Sequence, residues 1–399
     1  MATYTVNQPG SPVATFPASL KRGDVMNINN TSVGRSGTIL KWTVPNDGIY
    51  RLVAMGAQGG AINNDGGKGA LMAGDFSLLK GQIINILVGQ QGIPGNTGGA
   101  IEGGGGGGTF IVRGNENFPL LVAAGGGGDT NYATIDLYGM PGETTRLASV
   151  VTGSSGSRGE GQGGYAGSGT GAGAGGGFFS DGYGTSYGAG GYSYKSGGTG
   201  GASNHPCHGG FGGGGAGGFS GGGGGGGYTG GTGGGNGAAY TSGGGGSYNT
   251  GENQNNIRGS QSGNGKVQIL FIGSANEPPT KPLLIKQPIS NSMNLSNEAV
   301  LLEWIASTDP EGNAITYEID FYNGSTWASV AKNITDTNYD CILPSVTTDK
   351  AQLRIRATDS ENGASEYVLS NVFSVAQQLY VIKDGDINKS YKNGNWESI

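Results

Sequence analysis

The amino-acid sequence predicts an all-β protein: a β-sandwich that carries a bundle of extended glycine-rich segments, then an immunoglobulin-like sandwich and a short C-terminal β segment. Three observations predict this architecture. Apolar side chains recur with the two-residue period of strands, and the 3.6-residue period of amphipathic helices is almost absent. Nearly half of residues 149–265 are glycine. From residue 283 onward the composition returns to that of an ordinary globular domain.

The first sandwich is predicted to begin near residue 38. Residues 1–37, rich in Pro, Asn and Ser, are predicted to form an N-terminal attachment segment. Strands are expected at 38–44 and 49–55, and the run Pro45–Gly48 between them has the composition of a tight turn, which indicates a hairpin. The remaining predicted strands of this sandwich are 70–79, 83–88, 109–112, 120–124 and 266–272.

The glycine block, residues 149–265, is predicted to be ordered. Each glycine costs about 0.5–1 kcal/mol relative to alanine, so the block is either a disordered tether or a cooperative lattice. Tethers avoid aromatic residues, whereas Tyr and Phe are interleaved through this block. We expect polyglycine II helices, which lack internal hydrogen bonds, with their amides paired between neighbouring helices. The block is therefore an excursion from one glycine-rich domain that covers residues 38–272.

The second half of the chain is predicted to hold a linker and a separate domain. Residues 273–282 contain three prolines, which favour an extended linker. Residues 283–376 hold six short strand candidates with alternating apolar side chains, as at Leu302 and Trp304, which indicates an immunoglobulin-like sandwich. Residues 377–399 are predicted to form a small β-hairpin segment.

Composition excludes several classes of partner. The net charge is −6, the isoelectric point is near 5.0 and the basic residues are scattered, which disfavours nucleic acid and anionic membranes as partners. No apolar run reaches the length of a transmembrane helix. The N-terminus lacks the pattern of a signal peptide, so we expect synthesis in the cytoplasm. Cys207 and Cys341 fall in different predicted domains, so no disulfide is expected.

One short motif concentrates potential zinc ligands. His205, Cys207 and His208 lie within four residues, and imidazole and thiolate are the donors that zinc prefers. A fourth ligand is not evident in the sequence. The alternative interpretation is a loop tip that interrupts the polyglycine pattern, and we expect no bound metal and no cofactor.

A second group of carboxylates is predicted at one end of the immunoglobulin-like sandwich. Asp309 and Glu311 lie in one loop, and Asp359 and Glu361 in another. Oxygen ligands from two loops would suit Ca²⁺. The alternative interpretation is turn chemistry, in which the Asp side chains bind backbone amides.

Signals for an enzyme are weak. The many Gly-x-Gly-x-x-Gly matches follow from composition, and none joins a strand to a helix as a phosphate-binding loop does. Cys207 has histidines nearby, but no third group is evident to orient one of them as a base. We therefore predict that the protein is not an enzyme.

Aromatic residues in Gly/Ser-rich sequence are the strongest candidates for binding. Tyrosine flanked by Gly and Ser is typical of adaptable binding loops, and sugars present apolar C–H faces to such rings. The alternative is that these rings cap the bundle against water, and the two roles are compatible. The candidate receptor-binding residues are Phe178, Phe179, Tyr183, Tyr187, Tyr192, Tyr194, His205 and His208.

An ordered series of short motifs runs from Trp42-Thr-Val-Pro45 through Gly56-Ala-Gln-Gly-Gly60 and Gly66-Gly-Lys-Gly-Ala70 to Val122-Ala-Ala-Gly-Gly126. Over about residues 38–272 it resembles the glycine-rich domains of bacterial and phage surface proteins. It is also similar to the glycine-rich ectodomain of the anaplastic lymphoma and leukocyte tyrosine kinase receptors. The glycine block alone looks similar to the distal adhesins on long tail fibres of T-even-like phages. The resemblance implies a jelly-roll-like sandwich with a polyglycine bundle whose tip loops bind a host receptor.

Residues 283–375 resemble a fibronectin type III domain, with Trp304 at its strand B position and Leu353–Ala357 as strand F. Ala351 stands where the family usually has a tyrosine, so the corner hydrogen bond of that tyrosine is expected to be missing. Such domains are common in phage tail proteins.

These resemblances imply a non-enzymatic, receptor-binding adhesin or tail-tip component of a bacteriophage or phage tail-like particle. Its expected partners are a bacterial cell-surface glycan or protein and other tail or baseplate proteins. The sequence leaves open whether the protein forms a homo-oligomer. One alternative is a purely structural baseplate or fibre subunit. Another is a bacterial surface adhesin, against which the missing signal peptide counts.

Overall fold

The computed structural model describes residues 2–8, 17–61, 66–97, 100–114, 117–132, 135–149, 151, 158–169, 171–219, 221–235, 241–273, 276–377, 380–384, 387–392 and 395–398. The regular elements in these residues are β-strands, which confirms the predicted all-β class. No helix in this part of the chain is long and apolar enough to cross a membrane. The chain divides into two compact units, Met1–Ser274 and Ala275–Ile399, and each is described by itself.

The first unit is a two-sheet sandwich with a small third sheet. One sheet has the strand order β1-β2-β15-β4-β5-β14, the facing sheet has the order β13-β10-β9-β6-β3, and the small sheet has the order β12-β11-β8-β7. The strands are β1 (Thr3–Gln8), β2 (Val25–Asn30), β3 (Leu40–Thr43), β4 (Gly48–Met55), β5 (Gly69–Leu78), β6 (Ile83–Leu87), β7 (Pro94–Thr97), β8 (Ala100–Gly103), β9 (Thr109–Arg113), β10 (Leu121–Ala123), β11 (Thr130–Tyr132), β12 (Ile135–Leu137), β13 (Tyr248–Asn249), β14 (Glu252–Gln261) and β15 (Lys266–Gly273).

The core of the sandwich forms where apolar side chains of the two large sheets meet. Trp42 of β3 contacts Tyr50 of β4 edge to face, with ring centroids 5.5 Å apart, and Phe271 of β15 lies 4.9 Å from Tyr50. All three rings are buried. Because β15 pairs with both β2 and β4, the chain returns to the sandwich after the glycine block, as predicted.

Two predictions about the N-terminal part are wrong. β3 and β4 do not form a hairpin, since β3 pairs with β6 and β4 pairs with β5 and β15 in the opposite sheet. The turn between them crosses the sandwich instead of reversing within one sheet. Residues 1–37 are not a separate attachment segment, because β1 and β2 belong to the six-stranded sheet. Three of the six residues of β2 are asparagine, and its buried apolar side chains are Met26 and Ile28, which left its strand signal weak.

The glycine-rich segments form the predicted lattice, with amides that bond to distant segments. The amide of Gly106 donates to the carbonyl of Gly126, the amide of Gly125 donates to Gly226, and the amide of Gly226 donates to Gly106. These residues come from three separate segments, so the amides of each segment bond to carbonyls of the others. The backbone bonds between segments replace the internal bonds that a polyglycine II helix lacks.

The bundle has different boundaries from those predicted. Glycine runs that the sequence assigned to sandwich loops, including 56–60, 88–92, 103–108 and 124–128, supply segments to the lattice. The C-terminal part of the predicted block leaves the lattice and forms β13 and β14. The boundaries depend on lateral hydrogen bonds between backbones, and such bonds produce no periodic pattern of side chains in the sequence.

One end of the bundle rests on the sandwich through a second core. We call these residues the basal core: Leu87, Phe110, Val112 and Val122 of the sandwich strands and their ends, with Phe178, Phe211, Tyr228 and Tyr248 of the glycine block. All eight side chains are buried. The aromatic rings at the turns of the block therefore attach the lattice to the sandwich.

The second unit has the predicted immunoglobulin-like sandwich. One sheet has the order β16-β18-β21 and the other the order β17-β24-β22-β19-β20, with β23 paired to β22. Ala351, at the expected tyrosine position, is buried. The strands are β16 (Leu283–Lys286), β17 (Met293–Leu295), β18 (Ala299–Ile305), β19 (Ile315–Tyr322), β20 (Trp327–Ile334), β21 (Asn338–Ile342), β22 (Thr348–Asp359), β23 (Val368–Leu369) and β24 (Phe373–Ala376).

The ends of this unit differ slightly from the prediction. Part of the predicted linker 273–282 packs on the sandwich, because Asn276 and Thr280 form hydrogen bonds with its loops. The C-terminal segment is a three-stranded antiparallel sheet rather than one hairpin, with β25 (Tyr380–Asp384), β26 (Ile387–Lys392) and β27 (Asn395–Ser398). The residues between these strands, 385–386 and 393–394, lie outside the described residues.

We expect Gly226→Ala to destabilise the first unit by about 3 kcal/mol or more. A Cβ at Gly226 would collide with backbone atoms of Gly212 and Gly213, which the lattice holds in place. Gly197 is the control, because a Cβ there meets open space and only the strain of its φ of +95° is added, about 1–2 kcal/mol. Denaturant unfolding of both variants measures the difference. Equal effects would show that the lattice is loosely packed.

Candidate functional site

The loops at the end of the bundle opposite the basal core form one continuous surface. The chain turns there at 185–188 and 203–206, and at two further loops the amides of Gly171 and Gly218 donate to the carbonyls of Ser168 and Gly221; the other ends of these segments turn at the basal core. Thr185 Oγ1 donates to the carbonyl of Gly171, at 2.7 Å. Ser203 forms a bridge with Gly188, and its hydroxyl lies 3.1 Å from the carbonyl of Gly217. These contacts bring the four loops together as the distal end of the bundle.

Three rings are grouped on this distal end. The ring of Tyr187 lies 6.1 Å from that of Phe219, and the ring of His205 lies 6.4 Å from Phe219 on another side. Tyr187 and Phe219 are 36% and 46% exposed, so both rings are accessible to solvent. We call Tyr187, His205 and Phe219 the distal aromatic patch.

Ser203 orders the loop that carries His205. Its amide donates to Nδ1 of His208, at 3.0 Å, and its hydroxyl accepts from the amide of His205, at 3.1 Å. The same hydroxyl lies 3.2 Å from Sγ of Cys207. A short side chain therefore fixes the backbone beneath the patch, and the lattice below it is rigid because glycine amides bond laterally.

A carboxyl group is buried directly below this loop. Glu102 is 1% exposed, and the Cys207 thiol donates to its Oε2 at 3.9 Å. Burial raises the pKa of Glu102 to about 7, and the thiol contact opposes this increase. Burial also raises the pKa of the Cys207 thiol, so the thiol stays protonated and unreactive at neutral pH.

Three of the eight predicted binding residues lie at the base of the bundle instead. Phe178 has no exposed surface, and its ring stacks on Tyr194 with centroids 5.1 Å apart. Phe179 packs edge to face on Phe178 and is only partly buried. Phe178 belongs to the core and is no part of a binding surface, because the segment between two glycine runs turns there against the sandwich. Phe178 and Tyr194 instead fit the alternative role, in which the rings cap the bundle against water.

The other predicted residues divide between the flank and the distal end. Tyr183 and Tyr192, 50% and 45% exposed, lie on the flank of the bundle. The guanidinium of Arg158 lies 4.2 Å from the ring centroid of Tyr183. His208 is partly buried, and burial together with the charge of Arg35 lowers its pKa. Only Tyr187 and His205 join the distal aromatic patch.

The zinc hypothesis for His205, Cys207 and His208 finds no geometric support. Nδ1 of His208 accepts the amide of Ser203, and the Cys207 thiol faces Glu102. Among the described residues, no three His, Cys, Asp or Glu side chains are grouped to hold a metal ion. Both cysteines of the chain are buried free thiols.

The carboxylates of the second unit perform turn chemistry. Asp309 Oδ1 accepts the amides of Glu311 and Asn313, and Asp359 Oδ1 accepts the amides of Glu361 and Gly363. Both are Asx turns, the alternative that the sequence left open.

Phe219 is the one member of the patch that the sequence analysis did not select. It interrupts two long glycine runs, and a bulky residue at that place marks a reversal of the chain. Its position between Gly218 and Ser220 was a usable signal. The contact between Tyr187 and Phe219 could not be predicted, because the two residues are 32 positions apart and the chain reverses three times between them, at 194–197, 203–206 and 211–213.

Comparisons with known proteins add little. No protein-family model matches the chain. Similar solved structures include a β-1,2-glucanase from Parabacteroides distasonis (18% identity, TM-score 0.18, 35% of this chain and 18% of that chain), domains A168–A170 of titin (16%, 0.18, 32% and 39%) and the FN1–FN3 domains of chicken CNTN1 (15%, 0.19, 36% and 57%). This chain thus spans under two thirds of each. TM-scores this low support no inference about function.

We expect the stability of the first unit to fall as the pH rises from about 4.5 to about 7, because of Glu102. In this window the folded state holds a proton that the unfolded state has released, so raising the pH favours unfolding. The loss reaches about 3 kcal/mol at most. Denaturant unfolding at pH 4.5 and pH 7.5 measures it, and Glu102→Gln removes this part of the pH dependence. The control is Glu160→Gln, at an exposed carboxylate, and this variant should retain the pH dependence. If the unfolding free energy of Glu102→Gln still falls between pH 4.5 and pH 7.5 as in the unsubstituted protein, the assignment to Glu102 is wrong.

Proposed function

We propose that this protein is a non-enzymatic receptor-binding adhesin or tail-tip component of a bacteriophage or phage tail-like particle. In this proposal the distal aromatic patch contacts the surface of the host bacterium, and a glycan is the expected receptor. The single observation that carries the proposal is the position of the patch. Tyr187, His205 and Phe219 come from three different loops and meet at the end of the bundle opposite the basal core, on a lattice that holds them in place.

Rigidity is the physical reason for favouring a binding surface. A tyrosine or phenylalanine on an ordered loop offers a large contact area at a low cost in side-chain entropy. Thr185 bonds its turn to Gly171, and Ser203 bonds the turn at 203–206 to Gly188 and Gly217. The patch therefore needs little reorganisation before it contacts a partner.

The other parts of the chain have supporting roles in this proposal. The sandwich of the first unit carries the bundle, and the immunoglobulin-like unit acts as a spacer or second contact. Other tail or baseplate proteins would bind there, and the protein would function on the virion tail after synthesis in the host cytoplasm. The competing proposals are a structural baseplate or fibre subunit, whose distal rings contact only neighbouring subunits, and a bacterial surface adhesin.

We expect the double variant Tyr187→Ala/Phe219→Ala to lose at least about tenfold in binding to bacterial cells. Two exposed anchors of about 1–2 kcal/mol each account for this loss. The melting temperature should change little, because neither ring belongs to the core. The measurement uses fluorescently labelled full-length protein on a panel of bacterial strains and on their purified cell walls.

The control is Tyr183→Ala/Tyr192→Ala, which removes two rings of similar exposure from the flank. This variant should bind cells as the unsubstituted protein does. Full binding by the folded Tyr187→Ala/Phe219→Ala variant would place the receptor site elsewhere. Absence of binding to every strain, together with incorporation into tail particles, would favour the structural subunit.

A further inference from the structure

A buried carboxyl group lies beneath one of the loops that carry the distal aromatic patch. Glu102 of β8 is 1% exposed. In the register of the small sheet it lies opposite Gly95 of β7 and Thr130 of β11. Because Gly95 has no side chain, Cys207 of the loop 203–208 fits against it: a Cβ at Gly95 would lie 2.9 Å from Cβ of Cys207. The carboxyl group is thus enclosed by the sheet and by this loop.

The surroundings of Glu102 suit a protonated carboxyl group. Its hydrogen-bond partner among the described residues is the Cys207 thiol, 3.9 Å from Oε2, and a thiol is a weak donor. No ion pair of Glu102 is found in the same part of the chain. A carboxylate is costly to bury without a compensating charge or several donors. Burial therefore raises the pKa of Glu102 to about 7.

The other titratable groups near Glu102 do not compensate its charge. Asp129, also buried, lies just before β11, next to the residue whose side chain shares the face of Glu102. Successive side chains of an extended chain point to opposite faces, so the Asp129 carboxyl belongs to the other face of the sheet. His208 follows Cys207 in the loop, and burial together with the charge of Arg35 lowers its pKa, so it is neutral at pH 7. Ionised Glu102 would therefore be a buried charge with only the thiol beside it.

The loop 203–208 is the part of this enclosure that can move away from the carboxyl group. β8 is held on both sides, because β7 and β11 pair with it. The loop is held near Cys207 by single backbone bonds, such as the one from the Gly217 amide to the Cys207 carbonyl, 2.9 Å. The same loop carries His205, whose ring lies 6.4 Å from that of Phe219. Opening of the loop therefore separates these two rings of the distal aromatic patch.

We propose that Glu102 makes the distal aromatic patch sensitive to pH: the loop 203–208 stays closed on β8 while the carboxyl group is protonated, and it opens more often as the pH rises. In the open loop Glu102 meets water and ionises near its ordinary pKa of 4.5, whereas in the closed loop it ionises only near pH 7. Between these two values only the open form releases the proton, so raising the pH favours opening, and the effect levels off above pH 7. This inference rests on the proposed function only for its effect on receptor binding.

Labelling of the Cys207 thiol in the full-length protein tests the proposal. Cys207 has no exposed surface, so a small pyridyl disulfide reaches it only when the loop opens. Peptide mass spectrometry separates its labelling from that of Cys341. The rate at pH 5 and at pH 7.5 is divided by the rate for the unfolded protein at the same pH, which removes the pH dependence of the thiol itself. We expect this ratio to rise at least about tenfold from pH 5 to pH 7.5. At pH 7.5 it should also exceed the ratio that global unfolding allows, as measured with denaturant.

Glu102→Gln is the test variant, because its amide keeps the shape of the side chain and does not titrate. The labelling ratio of this variant should be the same at both pH values, whereas Glu160→Gln, at an exposed carboxylate, should behave as the unsubstituted protein does. The proposal is overturned if the change with pH persists in Glu102→Gln, or if Cys207 of the unsubstituted protein is labelled no faster than global unfolding allows. The second comparison needs no variant, so it holds even if Glu102→Gln does not fold.

Binding to bacterial cells distinguishes failure of this inference from failure of the proposed function. If both are correct, cell binding weakens at least about threefold from pH 5 to pH 7.5, and Glu102→Gln removes this difference. If labelling of Cys207 changes as expected but cell binding does not, the proposed receptor site is wrong and the pH-sensitive loop stands. Equal labelling ratios at the two pH values overturn the pH-sensitive loop, whatever the binding result.

Discussion

The lateral hydrogen bond between polyglycine segments is the interaction on which the rest of the first unit depends. A polyglycine II helix makes no bonds within itself, so every buried amide needs a partner on another segment. The segments approach closely enough for these bonds only where no Cβ intervenes, as at Gly106 and Gly226. The same closeness makes the lattice rigid and gives the distal loops a fixed base.

Aromatic residues lie at both ends of the lattice, but they are buried at one end and exposed at the other. At the base, Phe178, Phe211 and Tyr228 are buried against side chains of the sandwich, and this apolar contact anchors segments that have almost no side chains of their own. At the distal end, Tyr187 and Phe219 contact each other but stay exposed. One composition therefore produces a core at one end and an exposed aromatic patch at the other.

Several polar side chains inside the lattice bond to the backbone of neighbouring segments, as Thr130 and Thr229 do. Ser203 connects the backbone of its loop to His208 and to the neighbouring segments. Glu102 is the costly exception, because its burial keeps the carboxyl protonated up to about pH 7. The surface of the sandwich shows the reverse case, since the Glu252 carboxylate lies opposite Asp75 but is exposed to solvent.

The sequence by itself determined the all-β class, the strands with strong apolar alternation, the ordered glycine lattice and the immunoglobulin-like unit. These follow from local properties: the period of apolar side chains, the entropy of glycine and the presence of aromatics among the glycines. Tertiary structure alone decided that β3 and β4 lie in opposite sheets, that β1 and β2 join the sandwich, and that four earlier glycine runs enter the bundle. It also placed Phe178 in a core and Tyr187 beside Phe219. The physical reason is that lateral backbone bonds carry no side-chain pattern, so the sequence shows which residues form the lattice but not which segments are neighbours.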